Sequence, residues 1–225
     1  MIWAPLMLAA FGSLDLAAAQ PEAAAVAVPA TPASDGLPLV GLSDEEVLAR
    51  GVAAIEAIGT LKARFSQVAP SGAVSTGVVY LSRPGRLLFD YDAPDPQEIV
   101  ATGGLVYVHD ADLETTDSYP VKQTPLRYLL DRKIDLSGTD LARVQRAPGE
   151  VAVSLRSTDE ELDGEVALAF AAAPDGSLDL VRWAVVDAQG GLTVVSLDEV
   201  ERDVKLPRRL FRIPEAERAF GTDRR

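Results

Sequence analysis

Few residues in this chain have chemical potential. One histidine, His109, stands in the whole sequence, and cysteine is absent. Without cysteine there is no thiolate nucleophile, no thiolate metal site, no disulfide and no lipid attachment through an N-terminal cysteine. His109 with Asp110 and Ser118 supplies the residue types of a Ser-His-Asp set, but nothing in their spacing supports that three-dimensional arrangement. Carboxylates are plentiful. Asp90 with Asp92, and Asp159-Glu160-Glu161 with Asp163, are the pairs with the composition of a glycosidase acid and base. That chemistry needs two carboxyl groups at a fixed separation across a sugar-sized cleft. The second group also comes nearest to a calcium loop, yet Glu161 fills its third position and Phe170 falls where the bidentate glutamate is required. No GxGxxG or GxxxxGK[ST] phosphate loop, HExxH zinc helix or GxSxG elbow occurs. Solvated acidic loops and an ordinary strand-end histidine are the plainer reading of these residues.

Charge narrows the partners. Thirty-four acids against 21 bases give a formal net charge of −13, which disfavours a nucleic-acid binder or an anionic-membrane clamp, since both need surplus Lys and Arg. With 225 residues, 48% of them hydrophobic, one domain with a sizeable core is expected. The chain opens on an apolar run, Ile2 to Phe11, and stays mostly apolar to Ala19, with small residues at Ala17 and Ala19 before Gln20. Residues 1–19 thus read as a secretory signal peptide, although no Lys or Arg precedes the run and Asp15 falls near its end. Residues 20–40, with Pro21, Pro29, Pro32 and Pro38 among alanines, read as a spacer. The folded domain is expected over 41–216, with 217–225 as a tail.

Elements that could position a site follow from periodicity. Ser43-Asp44-Glu45-Glu46 is a capping box, and the Leu48, Val52, Ile55 and Gly59 spacing, with Val47 and Ile58 beside it, predicts a helix to about Ile58. After Thr60 the period becomes 2: Leu61, Ala63, Phe65 and Gln67 alternate with Lys62, Arg64 and Ser66. Further strands are expected at 77–82, 86–91, 97–102, 105–110, 114–119, 142–146, 151–156, 165–170, 178–186 and 192–202, with turns at Gly103-Gly104, Asp175-Gly176 and Gly190-Gly191. About ten or eleven short strands without alternating long helices mean an antiparallel barrel or sandwich. Thr124 to Leu130 interrupts them as a short apolar helix, with Thr124 as its cap, Pro125 in the first turn and Leu126, Leu129 and Leu130 on one face. That face must be buried on the sheet, like a lid. Tyr80, Leu81, Leu87, Leu88, Phe89, Tyr91, Ile99, Val100, Val106, Tyr107 and Val108 crowd neighbouring strands; such a stripe either interlocks as core or lines a cavity.

One ordered set of motifs goes beyond composition. Phe65-Ser66-Gln67 is followed by Gly77, by Arg83-Pro84-Gly85-Arg86-Leu87-Leu88-Phe89-Asp90-Tyr91, and by Gln97-Glu98-Ile99-Val100-Ala101 before Gly103. Then come Leu105 to Asp110, Asp112-Leu113, Thr124-Pro125 before Leu129-Leu130, and a closing Leu206-Pro207 with Leu210-Phe211-Arg212-Ile213-Pro214. This order resembles the outer-membrane lipoprotein carrier family (LolA type) over about residues 42–216. The resemblance implies a mainly β fold, an incomplete antiparallel barrel closed by a helical lid, which holds the acyl chains of triacylated lipoproteins during periplasmic transit. It implies no catalysis and no cofactor. Its partners would be an inner-membrane ABC-type exporter and an outer-membrane receptor, or the outer membrane itself, with the carrier a monomer. The family's receptor normally carries a lipidated cysteine, so the lack of one here points to the soluble carrier. By the same resemblance Arg83 ties the strand loop to the lid, and Phe65, Leu81, Leu87, Phe89, Tyr91, Ile99, Tyr107, Leu126, Leu129 and Leu130 line the acyl-chain cavity. Three departures stand out: Leu87 replaces a usual aromatic, Tyr107 a usual Trp and His109 a common Tyr, which implies a Trp-poor pocket. A carrier for another envelope lipid, an envelope sensor and a secreted carboxylate-dependent hydrolase are the alternatives.

Overall fold

The computed structural model describes residues 37–158, 165–187 and 189–212. The expected signal peptide, most of the spacer, the Asp159–Asp163 carboxylates, Ile213-Pro214 and the tail lie outside them. Helix α1 (Asp44–Glu56) starts at the expected capping box: the Ser43 hydroxyl accepts from the Glu46 amide at 3.2 Å, and the Glu46 carboxylate accepts from the Ser43 amide at 2.8 Å. Three acids in its first turn complement the positive end of the helix dipole. The buried face is Val47, Gly51 and Ile55, one position round from the expected one, with Val52 only half-buried and Gly59 exposed. The reason is close approach. A Cβ on Gly51 would sit 3.1 Å from the Phe170 ring, so glycine lets the helix settle onto that ring.

Eleven strands follow: β1 (Thr60–Val68), β2 (Val74–Ser82), β3 (Arg86–Tyr91), β4 (Gln97–Thr102), β5 (Leu105–Asp110), β6 (Thr115–Pro120), β7 (Thr139–Ala147), β8 (Glu150–Ser157), β9 (Glu165–Ala172), β10 (Leu178–Val186) and β11 (Leu192–Arg202). They form one antiparallel sheet in the order β6-β5-β4-β3-β2-β1-β11-β10-β9-β8-β7. Every neighbour is the next strand in the chain except β1 and β11, which join the two ends of the meander. The free edges are therefore β6 and β7, and the eighteen or so residues between them must bridge the gap. That bridge contains a 3-10 turn (Val121–Gln123) and a single helical turn, α2 (Arg127–Leu130). The architecture is an incomplete barrel with a helical lid across its opening.

The inner face carries the core. Leu61, Ala63 and Phe65 of β1, Leu87, Phe89 and Tyr91 of β3, Val151, Val153 and Leu155 of β8, and Leu168 and Phe170 of β9 all belong to one cluster with α1 and the lid. Phe65 makes edge contacts with Phe89 and Tyr91 at 5.0 and 5.1 Å between ring centres, and Phe89 meets Trp183 at 6.0 Å. Phe65 pairs directly with Gly77 across β1–β2. A Cβ on Gly77 would fall 2.6 Å from that ring and 2.2 Å from the Asp90 carbonyl, which explains why this strand position is a glycine. A second cluster lies on the outer face: Leu88, Val100 and Phe211, with Tyr80, Tyr107, Leu206 and Leu210 against it.

Candidate ligand cavity

The lid is fixed at one end by the β2–β3 turn. Arg83 donates from Nη1 to the Leu129 carbonyl and from Nη2 to the Asp131 carbonyl at 2.6 Å. The Gly85 amide donates to the Leu130 carbonyl between them at 2.9 Å. A single helical turn leaves its last carbonyls without intrahelical partners, and this one turn supplies donors to three in succession. Gly85 does so at φ +79°, a left-handed conformation suited to glycine. Burial lowers the Arg83 pKa, against the opposing charges of Glu56 and Asp131, and a guanidinium stays charged regardless. Glu56, at the end of α1, accepts from the Ile134 amide at 3.0 Å and from Lys133 at 2.5 Å. Its pKa is lowered first by the Lys133 hydrogen bond and then by the Ile134 amide. The chain leaving the lid is thereby pinned to the first helix.

Thr124 does not cap α2. Its hydroxyl donates back to the Val121 carbonyl at 2.9 Å, closing the preceding 3-10 turn, and Leu126 takes the N-cap position without a side-chain bond. The expected helix from Thr124 is shortened to Arg127–Leu130 because the threonine's oxygen is committed to the turn before it. Leu126, Tyr128, Leu129 and Leu130 are nonetheless all buried.

Beneath the lid is an apolar cavity of about 70 Å³. Pro125, Leu126 and Leu129 roof it, Phe89 and Ile99 form one wall, and Val166, Leu168, Trp183, Val185 and Val195 form the other. Its polar lining is Gln67, Asp187 and Thr193, gathered by strand register at one end: Gln67 pairs with Val195, and Asp187 follows Val186, which pairs with Leu192. The opposite end holds Arg83 and Gly59, linked by a backbone bond of 2.9 Å. The mouth polar groups are satisfied internally. The Tyr91 hydroxyl donates to Gln67 at 3.0 Å, and Asp187 accepts from the Gln189 and Gly191 amides of its own turn at 2.9 and 2.7 Å. Burial raises the Tyr91 pKa, so the phenol stays a neutral donor.

Of the residues expected to line the cavity, Phe89, Ile99, Leu126 and Leu129 do so directly. Phe65, Leu81, Leu87, Tyr91 and Leu130 lie behind them in the same inner cluster. Tyr107 requires correction. It pairs with Val100, which pairs with Leu88, and all three belong to the outer cluster beneath Phe211. Because side chains alternate along a strand, Val106 and Val108 take the inner face and Tyr107 cannot. The whole second wall was missed, and with it the tryptophan that makes the pocket less Trp-poor than expected. Trp183 is a wall residue because β10 carries a bulge between Leu180 and Arg182. The extra residue shifts the inward parity from even to odd numbers, so simple alternation from Leu178 points Trp183 the wrong way.

The residues with chemical potential are elsewhere. His109 Nδ1 lies 3.1 Å from the Thr115 carbonyl and 3.0 Å from the Thr116 hydroxyl. Asp110 accepts from the Asp112 and Leu113 amides at 3.0 Å, both on one carboxylate oxygen within its own turn. Asp92 is gripped by Arg64 and by the Thr76 hydroxyl at 2.7 Å, which hold its pKa down to about 2, the opposite of what a general acid needs. Asp90 faces Glu98 across β3–β4, and burial, then the Asp90 charge, raises Glu98. That pair sits on the outer face and lines no part of the cavity. Among the described residues no group of three His, Asp or Glu side chains is placed to hold a metal ion.

An incomplete barrel whose apolar interior is roofed by a tethered lid defines a class of protein built to enclose an apolar ligand. The chain belongs to the outer-membrane lipoprotein carrier family: the family's sequence model matches residues 56–214. Proteins named outer-membrane lipoprotein carrier protein from Methylibium petroleiphilum and Alkalilimnicola ehrlichii are 30% and 32% identical to it. The alignments cover 71% and 66% of this chain and 86% and 71% of those relatives. A solved LolA-superfamily structure from Nitrosomonas europaea aligns with a TM-score of 0.42 and 14% identity over 77% of this chain and 99% of that one.

Proposed function

We propose that this protein carries lipoproteins across the periplasm by enclosing their acyl chains in the cavity beneath the lid. The carrying observation is the apolar space roofed by Leu126 and Leu129 and fastened through Arg83. Acyl chains gain roughly 0.8 kcal/mol per buried methylene, and the apolar cavity beneath the lid offers such burial to a ligand. At about 70 Å³ the space is smaller than the ~150 Å³ that holds one benzene, so loading requires the lid to move. Movement breaks the contacts from Arg83 and Gly85 to the three lid carbonyls, which makes Arg83 the latch. The signal peptide at residues 1–19 would deliver the chain to the periplasm. An inner-membrane ABC-type exporter would supply the cargo, and an outer-membrane receptor or the membrane itself would take it. No bond is made or broken in this cycle and no cofactor is used.

The test is a release assay. Spheroplasts or proteoliposomes bearing the exporter are incubated with the purified protein, and lipoprotein is measured in the soluble fraction. The expected result is lipoprotein bound one-to-one to the protein. No release above the level without added protein would refute the reading.

A further inference from the structure

Next to the acyl cavity, sharing Pro125, Val166 and Val185 with it as walls, is a second recess of about 20 Å³, lined also by Lys122, Gln123, Thr124, Arg127, Tyr128, Ser157 and Glu165. Register puts it at the mouth end. Glu165 pairs with Val186 and Arg156, on the level of Gln67 and Asp187 and away from Arg83. The recess holds about one water, and it shares the lid as a wall, so the motion that admits a ligand's chains opens it too.

Its charges are unevenly matched. Glu165 is neutralised from outside the recess, by Arg143 and Arg156, each at 3.0 Å. The two cations are not neutralised in this way. Arg127 donates only to neutral groups, the Tyr128 hydroxyl at 2.6 Å and the Thr139 hydroxyl at 3.2 Å, with its guanidinium 4.7 Å from the Tyr128 ring centre. Lys122 is exposed. Among the described residues neither has a carboxylate within ion-pair distance; Asp135 feels both charges only at longer range and accepts from Ser137. Asp187, the acid on the cavity's own rim, is occupied by its turn amides. At the end of the cavity lined by Gln67, Asp187 and Thr193, two cations that no carboxylate of the described residues pairs therefore stand within a protein of net charge −13.

We propose that Lys122 and Arg127 form a head-group subsite selecting acyl ligands that carry an anion, a phosphate or a carboxylate, beside their chains. The assignment rests on the carrier reading above and adds to it the chemistry of the ligand's head. Guanidinium and ammonium donate to such an anion in charge-assisted bonds, while the chains occupy the apolar cavity. Held there, the head also braces the lid, because both donors belong to the segment that roofs the cavity.

The full chain is loaded with a pyrene-labelled diacylglycerol, a neutral probe, and displaced by ligands of matched acyl length. One arm compares diacylglycerol with phosphatidylglycerol; the other compares triacylated lipopeptides with Asp or Lys two residues after the lipidated cysteine. The anionic ligand of at least one arm should bind about tenfold more tightly than its counterpart, with the preference shrinking at high salt. Preference in one arm alone identifies the source of the anion. In Lys122→Gln/Arg127→Gln the preference should fall to about one while diacylglycerol affinity stays within about twofold. Lys122→Gln alone, at an exposed side chain, should remove part of the preference and serves where the double variant fails to fold. Equal binding of anionic and neutral ligands, a preference for Lys, or a preference that survives the substitutions would overturn the subsite and leave the carrier reading intact. If diacylglycerol itself does not bind, the carrier reading falls, and the subsite with it.

Discussion

Strands β3, β4 and β5 bury apolar side chains on both faces, and the two faces are finished in different ways. Outside, Leu88 and Val100, with Tyr80 and Tyr107 beside them, are covered by the chain's own closing segment. The 3-10 turn Arg208–Phe211 seats Phe211 at 2% exposure, and the Arg86 guanidinium lies 5.7 Å from its ring centre. Inside, Phe89 and Ile99 face a space that no side chain fills, under a lid held by hydrogen bonds to its backbone. Native interiors are packed to crystal-like density, so an apolar face left short of contacts is a cost unless something else occupies it. The plugged face is structure; the vacant one, under a cover tethered by Arg83, is the candidate site.

Perturbing each face separately tests that distinction. Phe211→Ala should have the largest effect on stability, a loss of about 3–5 kcal/mol in urea unfolding, while the folded fraction keeps its acyl-chain affinity. A small loss, or lost binding at full folding, would make the outer cluster part of the site. Arg83→Leu strips donors from two lid carbonyls and should cost about 2 kcal/mol. Its signature should be local: amides of Leu126–Leu130 exchange faster than those of β3, and cargo hand-over is impaired. Unchanged exchange and transfer would reduce Arg83 to a turn residue. Val195→Phe, aimed into the cavity beside its cross-strand neighbour Trp183, should alter stability by less than about 1 kcal/mol yet weaken acyl binding at least about tenfold. Retained binding in that variant would place the ligand elsewhere.

The smallest effect is at the periphery. Arg64 and Thr76 hold Asp92 at about 2, below its ordinary 3.8. A depressed carboxylate stabilises the fold above its unfolded pKa and ceases to do so as pH falls through the folded one. Between about pH 4 and pH 2 the wild-type melting temperature should therefore fall slightly more than that of Asp92→Asn. Parallel curves would show the contact to be inert.

Most strands were legible in sequence because alternation and glycine turns act locally. The Gly103-Gly104 hairpin, with φ of +60° and +85°, even fixed the register Thr102 to Leu105. Followed two pairs further, that register sends Tyr107 outward; the signal was present, and the resemblance to an aromatic lining residue outweighed it. Trp183 was hidden for a different reason. The β10 bulge is defined only by its partner β9, and nothing in Leu178–Val186 alone marks the added residue. The one-position rotation of α1 likewise depends on Phe170, more than a hundred residues away. What one strand dictates can be read from one strand; what two distant segments settle between them cannot.

Trp183 gives the most direct measurement of the central claim. The sequence has two tryptophans, and Trp3→Phe leaves Trp183, on the cavity wall, as the only one. Its fluorescence is followed while a triacylated lipopeptide with brominated acyl chains is added, bromine being a contact quencher. If the chains enter beneath the lid, quenching is saturable, matches the binding isotherm and disappears with unbrominated chains. Binding that leaves Trp183 unquenched would put the acyl chains outside this cavity and contradict the account.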